Sequence, residues 1–116
     1  MRMTIEQLLS KIQTQPETVS FSDVIEVIDT YYDFTPVEFK NGSLVNAAGQ
    51  NSGSCRLFAF AQLHHLTQQQ TLNCFGDYYR CDVLQHPGKD DHQNIRNFMQ
   101  TGWEGVSFGK LPLVSK

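Results

Sequence analysis

The stretch Val37-Glu38-Phe39-Lys40-Asn41-Gly42-Ser43-Leu44-Val45-Asn46 decides the class of this fold, because it is the strongest strand signal in the chain. Asn41-Gly42 suits a type I′ turn, in which both central residues need positive φ. With that turn, Phe39 faces Leu44 and Val37 faces Asn46 across a β-hairpin. The segments around it read mostly as helix, so the hairpin separates an α+β chain from an all-α one.

On the N-terminal side, Thr4 and Gln7 form a capping box, and Ile5, Leu8, Leu9 and Ile12 follow at helical spacing, predicting a helix over 5–14. Ser20 and Asp23 start a second helix, with Val19 placed to staple against Val24. Phe21, Val24, Ile25, Ile28 and Tyr32 mark its inner face, and Thr35-Pro36 ends it. On the C-terminal side, Ala47 to Ser54 is a loop of small residues. It leads into Cys55-Arg-Leu-Phe-Ala-Phe-Ala-Gln-Leu63, apolar on nearly every side and so a central buried helix.

Thr67 and Gln70 cap a helix predicted over 68–85, with Gly76 as a break or a point of close packing, stopped by His86-Pro87-Gly88. Asp91 is the expected N-cap of the last helix, with Ile95, Phe98 and Met99 inward and Gly102 at its end. Glu104 to Phe108 alternates and adds a third strand near 104–108, whereas the tail 109–116 reads as loose. The expectation is one domain over 1–116, α+β and mostly α, with about five helices and a small antiparallel sheet.

Composition narrows the function classes. Charged residues make up 18% of the 116 residues, and the polarity is carried by eleven Gln and six Asn. A net charge of −3 argues against nucleic acid, whose binding needs clustered Lys and Arg. The longest apolar run, Leu57 to Ala61, is far short of the ~18 residues of a membrane span. The first twenty residues carry Glu6 and Lys11 and no apolar core, so no Sec signal is expected. Cys55, Cys74 and Cys81 are odd in number and irregularly spaced, which favours reduced thiols and a bacterial-type cytosol.

Five segments in order carry a resemblance: Phe34-Thr-Pro-Val-Glu-Phe-Lys-Asn-Gly42, Asn46-Ala-Ala-Gly-Gln-Asn-Ser-Gly-Ser-Cys55, Phe58-Ala-Phe-Ala-Gln-Leu63, Cys74-Phe-Gly-Asp-Tyr-Tyr-Arg80 with His86-Pro87, and Asp91-His-Gln-Asn-Ile-Arg-Asn-Phe-Met-Gln-Thr-Gly-Trp103. The chain resembles the HopJ type III effector family of small proteobacterial proteins. The resemblance implies a bacterial cytoplasmic protein, secreted into a host cell if it serves as an effector. It brings no established activity and no catalytic residue.

Two sets of site candidates remain. Cys55 opens a helix after a Gly-Ser loop, where backbone N–H groups and the helix dipole lower a thiol's pKa if it is exposed. Gln50 to Cys55 is similar to the nucleophile segment of papain-like proteases, with Gln50 as oxyanion donor, although Arg56 follows the cysteine. His92, beside Asp91, is the candidate base; His64 and His65 lie about 13–15 Å along the same helix and cannot reach Cys55. That set makes a small cysteine-dependent hydrolase or acyl transferase, against which the apolar run after Cys55 predicts burial.

The other set is a polar face made by Asp77, Tyr78, Arg80, His92, Arg96 and Asn97, suited to an unknown protein partner or a small polar ligand. Locally, the same residues serve as helix caps and helix-locking ion pairs. No metal or other cofactor is expected: Cys74, Cys81, His86 and His92 run C-x6-C-x4-H-x5-H, which closes no compact zinc site. The reading leans to binding over catalysis.

Overall fold

The computed structural model describes residues 3–116. Five α-helices are present among them: α1 (Ile5–Thr14), α2 (Phe21–Tyr31), α3 (Ser52–Leu63), α4 (Gln68–Asn73) and α5 (Gln93–Thr101), joined by one π-helical segment, Tyr78–Val83. The strands are β1 (Tyr32–Phe34), β2 (Phe39–Asn41), β3 (Leu44–Asn46), β4 (Val106–Phe108) and β5 (Leu113–Ser115). The α+β, mostly α architecture is the one expected from the sequence.

Helix α3 is the axis of the core. Cys55 and Leu57 through Ala61 are all buried, and Phe58 meets Phe39, Phe75, Phe98 and Trp103 at centroid distances of 4.9–6.3 Å. A helix surrounded by other elements has no polar face to keep wet, which is why its sequence lacks amphipathic period. The others show that period, burying Leu8 and Ile12 in α1 and Val24, Val27 and Ile28 in α2. Trp103 packs against this core and donates its indole N–H to Leu66 O at 2.9 Å.

The three-stranded sheet runs β3-β2-β4, all antiparallel, so the segment near 104–108 does join the hairpin. Its register differs from the expected one. Phe39 pairs with Asn46 and Asn41 with Leu44, leaving Gly42-Ser43 as the two-residue turn. Only Gly42 has positive φ, +61°, as in a type II′ turn. The cause is Asn41, whose fully buried carboxamide donates from Nδ2 to Asn94 O at 2.7 Å. A turn position would have carried that side chain out of the core.

Two further expectations are corrected, and the alternatives at Gly76 are decided. The tail is not loose: β5 pairs antiparallel with β1, Leu113 is buried, and Lys116 N–H donates to Tyr31 O at 3.0 Å. The helix over 68–85 is broken, because Gly76 turns left-handed at φ +64° and seats itself against the backbone of Ser20 and Phe21, where a Cβ would come within 2.9 Å of Phe21 N. The N-cap of α5 is His92, not Asp91, and Met99 faces solvent. Asp91 is diverted by Arg96, which donates from Nη2 to its carboxylate at 2.7 Å and from Nε to its carbonyl at 2.6 Å.

Candidate functional site

Cys55 lies in the second turn of α3, because the helix starts three residues earlier at Ser52. Its own N–H is already bonded to Asn51 O, and the residue is 2% exposed. Burial pushes the thiol pKa up, outweighing the Val37 backbone contact and the Arg56 charge that pull it down. Arg56 turns away from the sulfur, its guanidinium 4.4 Å over the Phe34 ring and 3.2 Å from the Asp29 carboxylate.

The other members of the expected catalytic set are elsewhere engaged. Gln50 Oε1 accepts from Ala47 N–H at 3.0 Å and closes its own loop. His92 Nε2 sits 3.0 Å from Asp82. His64 Nε2 is 2.8 Å from the Tyr32 hydroxyl, and burial lowers its pKa. Among the described residues no hydrogen bond joins the Cys55 thiol to a histidine or to Gln50. Cys74 is buried too, its thiol pushed up to about 12, and no group of His, Cys, Asp and Glu suited to a metal ion occurs among the described residues.

The polar face divides into two kinds of residue. Arg80 is a clamp inside the fold: Nη2 donates to Val19 O at 2.6 Å, and Nη1 to Pro16 O and Asn73 O at 3.2 Å each. Asp77, 85% exposed, lies 3.9 Å from it and adds little. Arg96 holds the 86–91 loop through the carbonyls of His86 and Pro87 as well as Asp91, whose carboxyl it keeps below the usual range. Asn97 donates to Asn41 O at 3.3 Å and ties α5 to β2. Arg80, Arg96 and Asn97 are committed to structure, whereas Asp77 stands in solvent.

Tyr78 and His92 are different. Their rings lie 5.2 Å apart on the wall of a groove of about 650 Å³, in which Phe21 and Phe75 form an apolar side. Phe21 stacks on Phe75 (6.0 Å, 9°) and meets Tyr78 edge-on (5.4 Å, 70°). Gly53 makes room for this cluster, since a Cβ there would fall 2.8 Å from the Phe21 ring.

The first residues of α3 and α5 also line the groove. Both helices have left-handed N-caps, Asn51 (φ 50°) and His92 (φ 51°), and neither side chain caps its helix. Beneath them is a carboxamide cluster. Asn46 and Asn94 exchange reciprocal bonds at 3.1 Å, Asn41 donates to Asn94 Oδ1 at 3.1 Å, and Asn51 donates to Asn46 Oδ1 at 2.7 Å. This network joins the hairpin to both helix starts and fixes the groove's shape. Among the described residues its lining contains no Lys, Arg, Asp or Glu, and His92 and Tyr78 are its titratable groups.

Sequence reasoning found two of these residues, Tyr78 and His92, and missed Phe21, Phe75, Asn51, Ser54 and Asn94 as lining. The available signal was the number of Asn residues at segment boundaries: Asn41, Asn46, Asn51 and Asn94 each sit next to a turn or a helix start, where a surface role is the default.

Fold and groove together define a small, mostly helical α+β protein with a polar-aromatic groove and a buried Cys55. Residues 5–113, nearly the whole chain, match the family described as HopJ type III effector protein, and the chain belongs to that family. A solved structure, the crystal structure of unknown function protein VPA0580, is 49% identical, with a TM-score of 0.97 over 100% of this chain and 97% of that one. No curated protein matches.

Proposed function

We propose that this chain is an effector-like protein that acts by binding a small polar ligand or a protein partner through the Tyr78–His92 groove, not by covalent chemistry. The observation that carries the reading is the contrast between a sealed thiol and an open groove. Cys55 is buried with a raised pKa and without a base, whereas Tyr78 is 46% exposed at the edge of a concave site whose walls other side chains hold rigid. Binding sites are typically concave and largely pre-formed, with a few convergent polar groups, and this groove has that character. Family membership supports the effector role and the possibility of delivery by type III secretion from a bacterial cytoplasm. No helix of the described residues is long and apolar enough to cross a membrane.

Two measurements test the reading. An N-terminal translocation reporter fusion in a strain carrying a type III apparatus is expected to give a signal that is lost when the apparatus is disabled; no signal in either strain would favour action inside the producing cell. Iodoacetamide at pH 6.5 is expected to leave Cys55 unmodified in the folded protein and to label it after denaturation. Rapid labelling of native Cys55 would restore the hydrolase reading.

A further inference from the structure

The groove's chemistry narrows what it can hold, and the following rests on the binding reading above. Four aromatic rings, Phe21, Phe75, Tyr78 and His92, line one site, and Tyr78 is half exposed at its edge. A half-exposed Tyr with edge-on and tilted ring neighbours is a platform on which a further ring can stack at 4.5–7 Å. The lining also includes the Ser54 hydroxyl and the carboxamides of Asn51 and Gln93, whose amide groups donate to Asn46 Oδ1 and Asp90 O and whose oxygens accept no hydrogen bond among the described residues.

Among the described residues no Lys, Arg, Asp or Glu lines the groove, and the imidazole of His92 already meets the Asp82 carboxylate at 3.0 Å, so an ionic headgroup would find little side-chain counter-charge there. The volume, about 650 Å³, falls in the range of small-molecule sites. We infer that the groove accepts a small uncharged aromatic ring bearing a hydrogen-bonding edge, an aryl amide being the simplest case. The ring stacks on Tyr78 against the Phe21–Phe75 side, and the polar edge turns toward Asn51 and Ser54.

The test uses the intact, folded chain and three matched probes: benzamide, cyclohexanecarboxamide and benzoate. Each is titrated while the backbone amide signals of Gly53, Ser54, Gln93 and Asn94 are followed by NMR. Benzamide is expected to shift them saturably. Cyclohexanecarboxamide, with the same amide on a saturated ring, should bind about tenfold more weakly, the scale expected for loss of one stacking partner. Tyr78→Ala should weaken benzamide by about the same factor, while Tyr78→Phe, which keeps the ring, should hold it within about twofold.

Equal binding of the saturated amide, or an unchanged affinity in Tyr78→Ala, would overturn the aromatic assignment while leaving the groove as a binding site. Tighter binding of benzoate than of benzamide would overturn it in favour of an anion held by the two helix N-termini. Silence of all three probes at these amides would remove both this assignment and the groove reading on which it rests.

Discussion

Helices α1 and α4 begin alike, and α3 and α5 begin in another way. Thr4 and Thr67 each accept from the N–H three residues on at 3.1 Å, while Gln7 and Gln70 reach back at 2.9 Å, so both starts are complete capping boxes. Asn51 and His92 hold the N-cap positions of α3 and α5 in left-handed backbone and cap nothing. Left-handed conformations disfavour a residue with a Cβ, least so Asn, Asp and His. The first pair satisfies every local rule and has no other visible task. The second breaks those rules at two of the three α-helix starts that line the groove; the third, α2, begins at Phe21 behind an ordinary cap, Ser20 accepting from Asp23 N–H. Departures of that kind concentrate at functional sites, where the surrounding structure over-determines them.

The comparison predicts a gradient of effects. The largest belongs to Asn94→Ala, which leaves the Asn46 amide without its acceptor, while Asn41 keeps its bond to the Asn94 backbone carbonyl. We expect about 2 kcal/mol of destabilisation, since an orphaned buried group costs about 1–3 kcal/mol. The urea midpoint reads it, and a change of only a few tenths would mean the carboxamide cluster does not hold the groove. Thr67→Ala removes an ordinary cap and should cost about 1 kcal/mol. A loss as large as that of Asn94→Ala would erase the distinction between the two kinds of helix start.

The smallest effect is expected for His92→Gly. Glycine relieves the positive φ while the contact with the Asp82 carboxylate, half exposed at 49%, is lost. The two should nearly cancel, within about 0.5 kcal/mol in the same denaturation assay. A loss above 1 kcal/mol would make His92 a structural residue and remove it from the site.

How far each part could be read from sequence follows from the range of the interaction behind it. The capping boxes at Thr4 and Thr67, the stripe Leu8–Ile12 and the central apolar run 57–61 are contacts within four residues, or burial on all sides, and each was readable. The hairpin was readable as a hairpin, but its turn was placed one residue early. Asn41-Gly42 is the better local turn, and only the bond from Asn41 to Asn94, 53 residues away, pulls Asn41 into the strand. Strand β5 was invisible because three residues carry no period, and Tyr32–Phe34, its partner, lies some eighty residues earlier in the chain.

The family was legible in the motifs from Phe34 to Trp103, and the sequence alone also determined the class of fold, the burial of Cys55 and the absence of charge suited to nucleic acid. Tertiary structure decided which polar residues are free to act. Arg80, Arg96 and Asn97 look as available in the sequence as Tyr78 and His92. Arg80 and Arg96 each spend their donors on three backbone carbonyls, and Asn97 spends its own on Asn41. The physical reason is that a side chain's vacancy depends on what folding brings to it. Carbonyls exposed at broken helix ends and loops take up any guanidinium in reach. The Tyr78 ring met other rings and an opening, and so remained a surface; His92 joins it there by its ring while its Nε2 meets the Asp82 carboxylate.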